Sequence, residues 1–193
     1  MIRMSMPIEK LPTEKQHYTY ADYCTWDDGK RWEIIDGIAY AMVPGPTGTH
    51  QGISGNLHAQ LHSFLKGKPC KVYAAPYDVR LSAEAGDDTV VQPDLVVICD
   101  RSKLSDAGCM GAPDLVVEIL SPSTARYDRF IKFHRYLRAG VREYWIVDHE
   151  SKTVTIHILE NAKYTTTVFG DEDVAPVHVL EGCEINLTDV FAV

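Results

Sequence analysis

The sequence is poor in the features that mark whole classes of protein. Its five cysteines (Cys24, Cys70, Cys99, Cys109, Cys183) are odd in number and scattered, and none sits in a Cys-x-x-Cys pair. That spacing argues against a disulfide framework and against structural zinc, and it fits reduced thiols. No apolar run reaches the roughly eighteen residues that a membrane span needs. The opening "MIRMSMPIEKLPTEKQ" lacks the apolar stretch of a signal peptide, so a cytoplasmic location is expected. Positive charge is in deficit, with 19 Lys and Arg against 27 Asp and Glu and a net charge of −8. That balance argues against a protein that coats nucleic acid without selectivity, which needs clustered cations. There is no repeat of solenoid period, no low-complexity tract, no Gly-rich phosphate loop, no Gly-x-Ser-x-Gly elbow and no Cys/His dyad.

What is present is ordinary globular material. Apolar residues make up 45% and charged residues 24% of 193 residues, enough for one domain with a real core. No stretch rich in Pro, Gly or Ser divides the chain, so a single domain over 1–193 is expected. Thr19-x-x-Asp22 reads as a capping box opening a short helix near Tyr20 to Thr25. "RWEIIDGIAYAM" reads as a hairpin turning at Asp36-Gly37. In "THQGISGNLHAQLHSFLKG", Ile53, Leu57, Leu61 and Leu65 recur four apart, with Thr49 as cap and Gly67 as stop.

Strands are expected near 71–82, 89–99 and 114–120, with "DRSKLSDAGCMGAP" as a loop before the last. "SPST" opens a second helix over about 123–139. Its apolar stripe is Tyr127, Phe130, Ile131, His134 and Leu137, and Gly140 ends it. "EYWIVD" and the segments 152–159, 163–169 and 175–180 supply further strands. The order predicts an α/β chain with a mixed sheet. Its core is helix–three strands–helix–strand over about 49–148, with an N-terminal hairpin and extra C-terminal strands.

Two strands carry an acid inside an apolar run: "QPDLVVICD" holds Asp94, and "PDLVVEILSPST" holds Glu118. A lone buried carboxylate costs free energy unless it is paired or bound to a cation. If the strands are neighbours, the two acids meet, and an all-oxygen pair suits a hard ion such as Mg²⁺. Lys132, on the following helix, is the candidate cation beside them. A surface ion pair with Asp128 is its plainer role. Residues 126–142 hold six of the nineteen Lys and Arg, which reads either as a basic face or as a solvated helix. His58 and His62, four apart, read as a surface pair, and Trp32, Tyr144 and Trp145 as core or interface.

"QPD" at 92–94, "APDLVVEILSPST" at 112–124, Asp128 with Lys132, and "GVREYWIVD" at 140–148 together resemble the Uma-type family of restriction-endonuclease-like proteins. That family belongs to the PD-(D/E)xK nuclease superfamily. "WEIIDG" and His50 match as well, and the resemblance spans roughly residues 18–190. It implies a restriction-endonuclease-like core and a metal-dependent endonuclease acting on DNA. Asp94 and Glu118 would hold Mg²⁺ (or Mn²⁺), and the cleaved ends would be 5′-phosphate and 3′-hydroxyl. Lys132 would orient or help activate the attacking water, with Arg126 and Arg129 on backbone phosphates.

Two positions depart from the superfamily pattern. The Lys normally found two residues after the second acid is Leu120 here, and the resemblance implies that Lys132, on the following helix, takes its place. The helix acid that many members carry is missing, since Thr49 to Lys68 contains no Asp or Glu. Glu33, His50 and Asp78 are the auxiliary candidates. The plainer roles are an exposed strand acid for Glu33, local hydrogen bonding for His50 and a pair with Arg80 for Asp78. The rival readings are a catalytically inactive nuclease-fold module for dimerisation or nucleic-acid binding, and a small-substrate phosphoesterase. The apolar, edge-forming C-terminal strands predict a homodimer.

Overall fold

The hairpin forms as its turn residues require. The computed structural model describes residues 17–42, 45–82, 86–122 and 124–193. In it, β1 (Trp32–Ile35) and β2 (Ile38–Ala41) pair antiparallel, with Ile35 opposite Ile38. Asp36 and Gly37 hold φ of 51° and 75°, the left-handed pair that a tight hairpin turn demands. Ahead of it, the Thr19 amide donates to the Asp22 carboxylate at 2.8 Å and opens α1 (Tyr20–Tyr23). The long helix α2 (Gly48–Leu65) buries Ile53, Leu57, Leu61 and Leu65. Its cap is Thr47 rather than Thr49, with the Thr47 hydroxyl accepting from the His50 N–H at 3.2 Å.

The strands expected at 71–82 and 89–99 each break in two. Pro76 and Pro93 cannot donate to a ladder and restrict the residue before them. The pieces join different sheets. β3 (Lys71–Ala74) and β6 (Leu95–Ile98) enter the central sheet; β4 (Val79–Arg80) and β5 (Val90–Val91) enter a second one. The expected loop after β6 contains a small hairpin, β7 (Leu104–Ser105) and β8 (Gly108–Met110). β9 (Leu115–Ile119), β10 (Glu143–Asp148), β11 (Thr153–Glu160) and β12 (Lys163–Gly170) complete the central sheet, in the order β12-β11-β10-β9-β6-β3. Only β9 and β10 run parallel among its described pairs. The second sheet runs β2-β1-β5-β4-β8-β7. A two-stranded pair, β13 (Val174–Pro176) and β14 (Glu184–Asn186), leads into a short C-terminal helix at Leu187–Val190.

The central sheet is covered on both faces, as strands apolar on both faces require. Leu115, Val117 and Ile119 of β9 pack with α2 and the C-terminal helix. Val116 and Leu120 pack on the other side with Tyr127, Tyr136 and Tyr144. By alternation Glu118 shares that second face.

The second helix departs from its expected form. Tyr127–Lys132 is a π-helical turn that runs into α3 (Phe133–Ala139), which Gly140 ends at φ 82°. The expected apolar stripe is displaced: Phe130 is 60% exposed and Ile131 40%, while Tyr127, Asp128, Lys132 and Tyr136 are buried. The i→i+5 winding explains the change, because it brings residue 132 back over residue 127 while keeping it beside 128.

Cys70 and Cys99 form a disulfide, against the expectation of reduced thiols throughout. With Lys71 opposite Ile98, the register sets the two cysteines across from each other at the strand ends. A sequence separation of 29 conceals that neighbourhood. Cys24, Cys109 and Cys183 are free.

Candidate active site

Asp94 stands where the chain crosses from the second sheet into the central one. Leu95 lies opposite Val117, so Asp94 falls beside Glu118. The near copy "PDLVV" at 113–117 runs the other way, so its Asp114 lands at the far end of the strand pair. There Asp114 accepts from the Cys99 N–H at 2.7 Å and from Arg142 at 2.9 Å, a structural role.

Lys132 joins the acids. Its Nζ lies 2.9 Å from Glu33 Oε1, 2.9 Å from Glu118 Oε1 and 3.7 Å from Asp128 Oδ1. The Tyr136 hydroxyl donates to Glu118 Oε1 at 2.7 Å, and the Gln92 backbone N–H donates to Glu33 Oε1 at 2.8 Å. Asp94 Oδ2 accepts from the Ile119 N–H at 2.7 Å and lies 3.2 Å from His50 Nε2. Glu33 is therefore no exposed strand acid, since every residue of β1 is buried. Lys132 is likewise no surface partner of Asp128, since both are buried. His50 does more than cap its helix locally.

Burial sets the protonation of this cluster. It pushes the Glu118 carboxyl well above the ordinary carboxylate range; Lys132 opposes the shift, and Asp128, Asp94 and Glu33 add to it. Burial likewise raises Asp128 to about 6, against the pull of Lys132 and Thr124. For Lys132 itself burial favours the neutral amine, but Glu118, Glu33, Tyr136 and Asp128 outweigh it and hold the proton on. Burial also lowers His50, and the Asp94 hydrogen bond and charge, with the Ile119 backbone, reverse this into a net rise.

The cluster lines a cavity of about 600 Å³ with Glu33, His50, Asp94, Glu118, Asp128 and Lys132 in its wall. Among the described residues no three His, Cys, Asp or Glu side chains converge as a ready metal cage. The hydrogen bonds to Asp94 and Glu118 use Oδ2 and Oε1, and among the described residues their other oxygens accept none. That donor set fits Mg²⁺, which takes one or two carboxylates and keeps several waters.

The sequence matches the family described as "Uma2: Putative restriction endonuclease" over residues 19–188. The chain belongs to the Uma2 family. It is also 30% identical over 156 residues to "Uncharacterized protein slr1290" of Synechocystis sp., covering 79% of this chain and 76% of that one. Among solved structures it is similar to "a putative nuclease belonging to DUF820 from Anabaena variabilis ATCC 29413", with a TM-score of 0.73 and 20% identity. The match covers 91% of this chain and 98% of that one. At that identity the likeness carries the fold, and the fold is the restriction-endonuclease-like one.

In this Uma2 protein the remaining sequence candidates lie outside the cavity wall. Asp78 sits behind it, accepting from the Gln92 side chain at 2.8 Å and from the Tyr23 hydroxyl at 3.1 Å. Arg80, its expected partner, pairs with Asp87 instead. Arg129 is bound to Asp148 at 2.9 Å, and Arg126 is exposed. Arg135 is held by Asp36 at 2.8 Å and Arg142 by Asp114, so the cations of 126–142 are mostly spent on pairs. Sequence reasoning missed Tyr136, Gln92 and Arg31. Tyr136 follows Lys132 by four residues, a helical spacing that could have pointed to it.

Proposed function

We propose that this Uma2 protein is a metal-dependent endonuclease that hydrolyses phosphodiester bonds, with DNA as its substrate. The observation that carries the reading is Lys132, an ammonium buried between Glu33 and Glu118 in a cavity that Asp94 also lines. Burying several carboxylates around one lysine is a poor source of stability, so a chemical role is the better explanation.

Asp94 and Glu118 would hold Mg²⁺ (or Mn²⁺). When bound, the ion supplies Lewis-acid stabilisation of a phosphoryl oxygen and acidifies water. Lys132 stays protonated, so it serves as a fixed charge and hydrogen-bond donor toward the phosphoryl oxygens and the attacking water, not as a base. Glu33 anchors Lys132 from the side opposite Glu118. His50 steadies Asp94. Of the two arginines expected on backbone phosphates, the exposed Arg126 would make such a contact, whereas Arg129 is held by Asp148.

A homodimer belongs to the same proposal. β12 is an outer strand of the central sheet, and its Thr165, Thr166, Thr167 and Val168 are exposed. Light scattering is expected to give twice the 21.6 kDa chain mass, and a lone 21.6 kDa species contradicts it.

The test is cleavage of supercoiled and linear DNA with Mg²⁺ or Mn²⁺. Asp94→Asn and Glu118→Gln are expected to lower the rate at least about a hundredfold while remaining folded. A folded wild type that leaves DNA and RNA intact with both ions points instead to a nuclease-fold module without catalysis.

A further inference from the structure

Arg31 is the one arginine in the cavity wall among the described residues. Its guanidinium is fixed in place, since Nε and one terminal nitrogen both donate to Gln92 Oε1, at 3.0 and 2.7 Å. Gln92 is buried, and its amide cannot turn over. The amide nitrogen donates to Asp78 Oδ1 at 2.8 Å and to the Tyr23 hydroxyl at 3.0 Å, which leaves the oxygen facing Arg31. Asp78 therefore fixes Gln92, and Gln92 aims Arg31. The same Gln92 holds Glu33 through its backbone N–H.

Arg31 differs from the cations around it. Arg80, Arg129, Arg135 and Arg142 are all bound to carboxylates. Among the described residues no carboxylate pairs with Arg31, although Glu33, Asp94, Glu118 and Asp128 line the same cavity. A guanidinium held by a neutral amide keeps its whole charge and its second terminal nitrogen for an anion. A phosphodiester entering this cavity meets a wall of acids and needs such a counter-charge.

We infer that Arg31, aimed by Gln92, is the substrate-positioning cation of the site and grips a backbone phosphate of the nucleic-acid strand at the cavity mouth. The substrate in this inference rests on the nuclease reading above. Arg31 places the strand and takes no part in proton transfer, so its loss weakens binding more than turnover.

The test uses the full chain and a short fluorescein-labelled DNA strand, with Ca²⁺ in place of Mg²⁺. Anisotropy is followed as salt is raised. Arg31→Gln is expected to weaken binding about tenfold and to lower the slope of log affinity against log salt by about 1. Arg31→Lys retains the slope and recovers part of the affinity, because it keeps the charge and loses the fork. Arg101→Ala, beyond the far end of β6, matches the wild type. In Mg²⁺ assays Arg31→Gln raises KM with little change in kcat. An Arg31→Gln protein with wild-type affinity and slope overturns the inference and leaves the nuclease reading standing. A wild type that binds neither labelled DNA nor labelled RNA overturns both.

Discussion

Lys132 is the residue on which burial and chemistry meet. Two carboxylates lie 2.9 Å from it and a third 3.7 Å away, all buried. Lys132→Ala would leave these acids without their cation, and breaking a buried pair in that way costs about 3–5 kcal/mol. Urea unfolding checks this, and a loss under about 1 kcal/mol would show the acids to be solvated. Inactivity of that variant alone therefore does not isolate chemistry, and Glu33→Gln is the gentler probe because it keeps a hydrogen-bond acceptor. A second residue sets a pH response. Burial, helped by the Arg129 charge, lowers His157 from 6.5 to about 4. Between those values the unfolded chain takes up a proton that the folded chain refuses, so stability falls as pH drops through the window. His157→Gln is expected to flatten that part of the stability–pH curve, and an unchanged curve would show His157 titrating normally.

At the level of elements, what was legible followed periodicity, and what was missed followed a change of period. The four-residue recurrence in α2 named its buried face correctly. The same rule held at Tyr127 and failed at Phe130 and Ile131, because a π turn moves these two outward and Asp128 and Lys132 inward. Phe130→Ser tests this directly. It is expected to change stability by no more than about 0.5 kcal/mol, the usual surface range. If the segment were α-helical with Phe130 in the core, the loss would be about 3–5 kcal/mol. Tyr136→Phe, which removes the hydroxyl bound to Glu118 Oε1, is expected to cost about 1–3 kcal/mol in the same unfolding assay. Prolines made the other difference: Pro76 and Pro93 divide two expected strands between two sheets, and the second division is what delivers Asp94 to the site.

Across the whole molecule, contacts distant in sequence were the least visible. Asp94 and Glu118 could be read because each stands in an apolar run of the sequence, although Asp94 proves to lie just before β6 and only Glu118 lies inside a strand. Glu33 could not be told from a surface acid, since its burial depends on β5 pairing with β1 and on Lys132 reaching across from the helical segment after β9. The Cys70–Cys99 bond depends on one strand register. Closing a loop of that length stabilises by about 3–4 kcal/mol, so reduction is expected to lower the unfolding free energy by that amount. Equal stability with and without reductant would mean that the bond does not constrain the unfolded chain.

The central claim is that Asp94 and Glu118 form one divalent-ion site. Calorimetric titration of Mn²⁺ into the full chain, with Asp94→Asn and Glu118→Gln alongside and with a short duplex present in a second series, tests it most directly. Saturable binding by the wild type that both substitutions abolish is the predicted result. No binding by the wild type in either series, or binding that survives both substitutions, would contradict it.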